Sequence, residues 1–204
     1  MELKDRIQQK ANDLFRRYGV KSITMDEIAS QLGVSKKTIY LYFSDKDELV
    51  DVVTANLIDY AQQSCEKHKQ GSLNAIHEIF QAMDFINEMF TDLNPVMLHD
   101  LDRFHPKAFR IFLDHKNKYL FQLIKANLER GISEELYRPE INIDIIARLR
   151  LEGMLLGFNQ DVFPATKFNL AEIQRQIIDH FLFGVASQKG YKLILKYQQE
   201  RIKS

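Results

Sequence analysis

The stretch "TMDEIASQLGVSKKTIYLYF" (residues 24–43) places two short helical patterns on either side of one glycine. In the first pattern, Ile28, Ala29 and Leu32 fall on one side, and Gly33 follows Ala29 by four residues. Glycine adopts left-handed backbone conformations without the steric penalty of a Cβ atom, so it can turn the chain sharply between two helices. We therefore predict a helix-turn-helix unit over residues 24–43.

Residues that cap helices stand at the predicted helix starts. Thr24 followed by Glu27 has the spacing of a capping box, in which the hydroxyl accepts an otherwise unpaired backbone N–H group. Ser35 is placed to cap the second helix of the motif, and Ser44 with Asp47 the helix after it. The three helix starts are thus predicted from local sequence alone.

The remainder of the chain also has helical periodicity, and no convincing alternating strand pattern occurs. An N-terminal helix has its apolar stripe on Ile7, Ala11, Leu14, Phe15 and Tyr18 and ends before Gly19. Longer helices are predicted over residues 44–68, 72–92, 95–103, 106–130, 142–160, 170–188 and 190–202. Ten helices and no sheet define an all-α protein.

The composition of the chain narrows the class of protein but does not indicate which molecule it binds. The 28 Lys and Arg residues balance the 28 Asp and Glu residues, whereas architectural DNA-binding proteins are usually strongly basic. Cys65 is the single cysteine, so no intrachain disulfide can form. The N-terminus lacks the apolar run of a signal peptide, and 18 consecutive apolar residues occur nowhere. We expect a soluble, cytoplasmic protein with no cofactor.

An enzyme is the first alternative class. The glycine patterns of hydrolases, phosphate loops and dinucleotide sites are absent from the sequence. One group of side chains contains potential metal ligands: His99, Asp100, Asp102 and His105. Pro106 interrupts the helical pattern there, and the spacing matches no strong ligand motif. We therefore predict neither catalysis nor a bound metal.

The second helix of the motif begins with side chains suited to nucleic acid. Ser35, Lys36, Lys37 and Thr38 would be exposed there, while Val34, Ile39 and Phe43 supply apolar anchors. Lysines contribute positive charge, and hydroxyls hydrogen-bond phosphates or base edges. Helix-turn-helix proteins insert this end of the second helix into the DNA major groove. The alternative reading is an ordinary helical hairpin with solvated lysines.

The span "ITMDEIASQLGVSKKTIYLYFSDKDELV" resembles the DNA-binding domain of the tetracycline-repressor (TetR) family of transcriptional regulators. The run Tyr-x-Tyr-Phe-x-x-Lys-x-x-Leu from Tyr40 to Leu49 is its most specific part. The other residues that carry the resemblance are Ala11, Phe15, Gly19, Thr24, Ile28, Ala29, Gly33, Val34, Ser35 and Thr38. It extends over about residues 3–50. Lys37 departs from it, since many members have a small residue there.

The resemblance implies a DNA-binding domain at residues 1–46 and a ligand-binding and dimerisation domain at residues 47–204. It also implies phosphate contacts from Thr24 and Lys46, with Ser35, Lys36, Lys37 and Thr38 at the major groove. Tyr40 and Tyr42 would contact the DNA backbone and bases. The implied function is a repressor that binds a palindromic operator as a homodimer, with an activator as the alternative.

The homodimer is predicted to form through the helices at 142–160 and 170–188. Small residues allow helices to approach closely, and two helices from each subunit can build a four-helix bundle. The candidate interface residues are Gly153, Gly157, Ile177, Phe181 and Gly184. Packing within one subunit is the alternative role for these glycines.

The middle helices are predicted to enclose a small-molecule effector, as the resemblance implies. The candidate lining residues are Phe80, Met83, Phe90, Met97, Phe104, Phe109, Phe112 and Phe121. These side chains suit an apolar or aromatic compound, and they would equally suit an ordinary core. The expected partners are therefore an operator DNA, a small apolar effector and a second copy of the chain.

Overall fold

The computed structural model describes the backbone of residues 2–203 and the side chains of residues 2–201. Within that range the regular structure is helical, apart from one isolated antiparallel bridge between Tyr137 and Ala186. The all-α prediction is therefore confirmed.

The helices form two compact units, one of Met1–Ala61 with Asp92–His115 and one of Gln62–Thr91 with Lys116–Ser204. The first unit contains α1 (Leu3–Tyr18), α2 (Met25–Leu32), α3 (Lys36–Tyr40), the start of α4 (Lys46–Gly71), α6 (Val96–Phe104) and α7 (Pro106–Asp114). The second contains the end of α4, α5 (Ala75–Phe90), α8 (Phe121–Ser133), α9 (Ile143–Leu156), α10 (Leu170–Val185) and α11 (Gln188–Lys203). The predicted domain division after residue 46 stays a prediction.

The long helix predicted over residues 106–130 has a more complex form. It comprises α7, a π-helical segment (His115–Leu120) and α8, which continues to Ser133. The helix continues past the predicted end at residue 130, so that Gly131 lies inside α8. Helix α4 likewise ends at Gly71, three residues beyond the predicted His68.

Helix caps account for most helix starts. Besides Thr24 and Ser35, the side chains of Asn74, Asn142 and Asn169 accept the backbone N–H group three residues on, at the starts of α5, α9 and α10. The cap predicted for α4 was displaced by one residue. Asp45 rather than Ser44 accepts the N–H of Glu48 (2.8 Å), and Glu48 in turn accepts the N–H of Ser44 (2.7 Å).

The turn between α2 and α3 has the predicted left-handed geometry. Gly33 adopts φ 69° and ψ 28°, and its N–H donates to the last turn of α2. No atom lies within 4 Å of the position that a Cβ would take. The glycine is therefore needed for its backbone conformation rather than for space.

The first unit buries one continuous core under the helix-turn-helix motif. Its most enclosed side chains include Ile7, Phe15, Ile28, Ile39 and Phe43, each at most 1% exposed. Helix α6 joins this unit through Asp100, whose carboxylate accepts the backbone N–H of Lys21 (2.8 Å). Helix α7 joins α4 through an ion pair between Lys107 and Asp51 (2.8 Å).

The second unit has its own core around Tyr137. This side chain is 1% exposed, and its hydroxyl donates to Asn127 (3.1 Å), whose amide donates to the Ala75 carbonyl (3.0 Å). Its ring packs directly on Gly131 of α8, where an added Cβ would overlap the ring atoms. The missing side chain at Gly131 therefore determines how closely the Tyr137 ring approaches α8.

Replacing Gly131 with Ala is expected to lower the free energy of unfolding by about 1–3 kcal/mol, because the overlap with a rigid, buried ring outweighs the helix propensity gained. Gly71→Ala is the matched control, since no atom lies within 4 Å of its Cβ position. Urea unfolding followed by circular dichroism measures both. Equal midpoints for the two variants would contradict the role assigned to Gly131.

Candidate nucleic-acid interface

Two helix starts bring the predicted DNA-contacting hydroxyls to the surface. Thr24 accepts the backbone N–H of Glu27 (3.1 Å), and Ser35 accepts that of Thr38 (3.1 Å). The hydroxyls of Ser35 and Thr38 also lie 2.8 Å apart. A hydroxyl has one donor and two acceptor positions, so each retains capacity for a further partner. The start of α3 therefore presents exposed hydroxyls.

The two lysines of α3 differ in their surroundings. Lys36 Nζ donates to Asp26 Oδ2 (2.6 Å), and this hydrogen bond raises the pKa of the ammonium. Both partners are exposed, so the pair is screened by water and salt. Lys37 is exposed and makes no hydrogen bond or ion pair within the part of the chain that the structure describes. Of the two α3 lysines, Lys36 would have to break its ion pair before binding a phosphate, whereas Lys37 would not.

The end of α3 exposes three consecutive large side chains. Tyr40, Leu41 and Tyr42 are 43%, 75% and 40% exposed, between the buried Ile39 and Phe43. The tyrosines were predicted to contact DNA, whereas Leu41 was not singled out. The exposure of Leu41 could have been predicted, because helical spacing places it away from the side that carries Ile39 and Phe43. An exposed aliphatic side chain here suits the C5-methyl group of thymine in the major groove.

Lys46, at the start of α4, has a structural partner. Its ammonium donates to the Val20 carbonyl (2.7 Å) and is half-buried. Burial lowers the pKa of this ammonium, and the carboxylates of Asp100 and Asp47 oppose the shift. An ammonium has three donors, so two remain for other acceptors. Lys46 thus ties the α1–α2 connection to α4 and retains donors for a phosphate.

The predicted effector-pocket residues are divided between the two units. Phe80, Met83, Phe90 and Phe121 belong to the second unit, where the first two are buried and the others partly buried. Met97, Phe104, Phe109 and Phe112 belong to the first unit. Phe104 is 41% exposed beneath the Lys21 ammonium (4.8 Å to the ring centroid). Their role in ligand binding stays a prediction.

The predicted interface residues lie on α9 and α10 in different environments. A Cβ at Gly153 would touch Ile177 (3.4 Å), and one at Gly157 would overlap the Gln174 amide. These two glycines therefore contribute to the contact of α9 with α10 inside one protomer. Phe181 is partly buried, and Gly184 is exposed with open space at its Cβ position.

The four side chains weighed as a metal site, His99, Asp100, Asp102 and His105, face different partners. Asp100 binds the Lys21 backbone, and His105 Nδ1 lies 2.6 Å from Asp47 Oδ1. Within the described residues, no group of three His, Cys, Asp or Glu side chains is arranged to hold a metal ion. None of the helices in that range has the length and hydropathy needed to span a bilayer.

Comparison with known proteins is consistent with this geometry. The family profile "Bacterial regulatory proteins, tetR family" matches residues 7–53, which include most of α1, all of α2 and α3, and the start of α4. The chain is 25% identical over 169 residues to the HTH-type transcriptional regulator YvaF of Bacillus subtilis, covering 82% of this chain and 88% of that protein. It is 21% identical over 199 residues to the HTH-type transcriptional repressor KstR2 of Mycolicibacterium smegmatis, covering 93% of each.

A solved TetR-family transcriptional regulator from Agrobacterium tumefaciens has the same fold. It superposes with a TM-score of 0.76 at 16% identity, covering 90% of this chain and 97% of that one. These relatives are DNA-binding transcriptional regulators rather than enzymes. Residues 7–53 thus match the tetR family of bacterial regulatory proteins, and the profile and these likenesses together support a TetR-family regulator.

Proposed function

We propose that the protein is a ligand-responsive repressor that binds a palindromic operator as a homodimer and is released by a small effector with an apolar body. The observation that carries this proposal is the first turn of α3. It leaves Lys37 exposed, with no hydrogen-bond or ion-pair partner in the described part of the chain, next to the exposed hydroxyl of Ser35. The proposed location of the protein, and of its DNA binding, is the cytoplasm.

The proposed DNA contacts divide by chemistry. Phosphates are assigned to Thr24 and Lys46, because a hydroxyl and an ammonium at helix starts suit oxyanions. The groove-facing residues are Ser35, Lys36, Lys37 and Thr38, with Tyr40 and Tyr42 on the backbone and neighbouring bases. Leu41 joins them as an apolar contact. If a DNA phosphate replaced Asp26 as the ion-pair partner of Lys36, the Lys36 ammonium would be paired both before and after binding.

Selection of random duplexes by the purified protein tests the proposal. We expect a palindromic consensus whose half-sites lie about 34–36 Å apart, or a multiple of that spacing, because two α3 helices must meet successive major grooves. Lys37→Ala should change the ranking of the selected sequences. Selected duplexes with no shared motif would contradict sequence-specific binding, and a single non-repeated half-site would contradict a dimer.

Lys46→Ala is expected to weaken binding to all duplexes similarly and to reduce the slope of log K against log salt by about one, as the loss of one phosphate contact would. Fluorescence anisotropy over a salt series measures the slope. Lys67→Ala is the matched control, because Lys67 is an exposed lysine on the same helix, about 30 Å along its axis.

An unchanged salt slope for Lys46→Ala would remove Lys46 from the phosphate contacts. Because Lys46 also donates to the Val20 carbonyl, the thermal stability of the variant is measured in parallel. A change of stability with the wild-type slope would identify a purely structural lysine.

The proposed dimer surface is the exposed side of α9. Ile145, Leu149 and Leu156 are 63%, 65% and 44% exposed, and their spacing places them along one face. Three large aliphatic side chains on a single face are typical of a surface that a partner covers. Gly184 extends the surface on α10, together with the exposed side of Phe181. The second copy would complete a four-helix bundle.

Leu149→Asp is expected to convert the dimer to a monomer, because a carboxylate would be desolvated in the middle of the interface. Sedimentation velocity measures the oligomeric state. Leu73→Asp is the control, since Leu73 is 76% exposed in the connection between α4 and α5. A Leu149→Asp variant that sediments like the control would contradict this surface.

Repression is proposed through occlusion of DNA, in line with the repressor name of the relative KstR2. The effector would bind the C-terminal part of the chain, residues 47–204. Helix α4 begins at Lys46 beside the DNA-contacting residues and ends in the second unit, so it provides a covalent connection between the two functions. An effector that favours the form with unsuitable α3 spacing would shift the population off DNA.

A further inference from the structure

Arg150 is a charged side chain in the interior of the second unit. It is 6% exposed and lies on the same side of α9 as the buried Ala147 and Leu151. Arg148, two residues earlier on the same helix, is exposed. The helix therefore directs one arginine to solvent and the other into the core.

Among the side chains of residues 2–201, the Arg150 guanidinium has no counter-ion. None of the described residues forms a hydrogen bond or ion pair with it, and its Nη1 is buried without a partner. Burial lowers the pKa of this guanidinium to about 10, and the side chain still carries its proton at neutral pH. A buried charge in a protein is normally paired and hydrogen-bonded.

Arg130 of the same unit illustrates the usual solution. Its Nε donates to Glu134 (2.8 Å), and its Nη1 contacts Glu78 (3.2 Å). Its Nη2 donates to the Ser72 carbonyl (3.1 Å). A structural arginine in this unit thus satisfies each nitrogen from within the chain, whereas Arg150 satisfies none.

Arg150 lies along the antiparallel seam between α9 and α10. Its guanidinium carbon is 5.3 Å from the centroid of the Phe181 ring, while Gly157 meets Gln174 further along the seam. Gln174 is fully buried, and its amide donates to the Met154 carbonyl (2.6 Å). The Oε1 atom of Gln174 has no hydrogen-bond partner among the described side chains and backbone. The seam therefore contains both a donor and an acceptor that the protein leaves unsatisfied.

We propose that Arg150 binds the carboxylate of a small organic acid, whose apolar body packs beside Phe181 in the interior of the second unit. A guanidinium presents parallel N–H donors that match the two oxygens of a carboxylate. The Phe181 ring contacts the face of the guanidinium through a cation–π interaction. The N–H groups at the edge of the guanidinium would then be available to the anion. One positive charge is balanced by a carboxylate, whereas a phosphate monoester would bring nearly two negative charges.

This inference deepens the proposed function by naming the chemical class of the effector, and it depends on that function only for the effect on DNA. The protein is thus expected to form hydrogen bonds only with the carboxylate of the ligand. The aliphatic or aromatic remainder of the ligand would lie among apolar side chains. Binding is measured without DNA, so that failure of ligand binding and failure of operator binding are separate results.

The full chain is titrated with two matched series in calorimetry and thermal unfolding. One series is octanoate, octanol, octylamine and octyl phosphate; the other is phenylbutyrate, phenylbutanol and phenylbutylamine. We expect at least one carboxylate to bind and to raise the melting temperature, because it binds the folded state alone. The matched alcohol, amine and phosphate should bind more weakly.

Arg150→Met is expected to weaken carboxylate binding about 10- to 100-fold, as the loss of a hydrogen-bonded charge partner would. Arg148→Met is the matched control and should bind like the wild type, although its guanidinium also stacks on a ring, that of Phe121 (4.9 Å). Without ligand, Arg150→Met should melt at or above the wild-type temperature, since replacing an unpaired buried charge by an apolar side chain removes a cost.

The proposal is overturned by equal binding of alcohol and carboxylate, by unchanged binding to Arg150→Met, or by no binding of either carboxylate at millimolar concentration. A ligand-free Arg150→Met that melts well below the wild type would assign Arg150 to folding instead. If that variant does not fold, Arg150→Lys decides the question. It retains the charge without the paired donors and should bind carboxylate about tenfold more weakly.

Discussion

The proposed DNA-binding surface depends on the fixed orientation of a helix that is too short to be stable alone. Helix α3 has five residues, too few for a stable isolated helix in water. The left-handed turn at Gly33 sets its direction relative to α2, and the buried Ile39 and Phe43 anchor it to the core. Because those anchors occupy one side, the side chains from Ser35 to Thr38 remain on the other.

The sequence was informative wherever a structural feature is determined by a few neighbouring residues. The turn at Gly33 and the caps at Thr24 and Ser35 were predictable, because each donor and acceptor lies within about four positions of the other. The cap of α4 was misplaced by one residue because Ser44 and Asp45 are both good capping residues. Local competition of that kind is settled only by the backbone geometry.

Contacts between distant segments were beyond the sequence pattern. The bond from Lys46 to Val20 and the pair of Lys36 with Asp26 require two segments to meet in space. The same limit applies to the residues predicted to line the effector pocket, because helical periodicity does not reveal that they belong to two units. For Arg150 a partial signal existed, since helical spacing places it with Ala147 and Leu151. The absence of a counter-ion could only be seen in three dimensions.

The proposed ligand site implies that the unpaired buried charge of Arg150 destabilises the second unit and that binding of an anion would offset this cost. Folded domains are stable by only about 5–15 kcal/mol, and an uncompensated buried ion costs on the order of several kcal/mol. A ligand anion that reaches Arg150 would remove that cost and tighten the seam of α9 with α10. Those helices also present the proposed dimer surface, through Leu149 on one and Gly184 on the other. The proposed ligand and the proposed dimer contact would then both act on α9 and α10. Because the dimer contact sets the spacing of the two α3 helices, ligand binding and DNA binding could be coupled through this pair of helices.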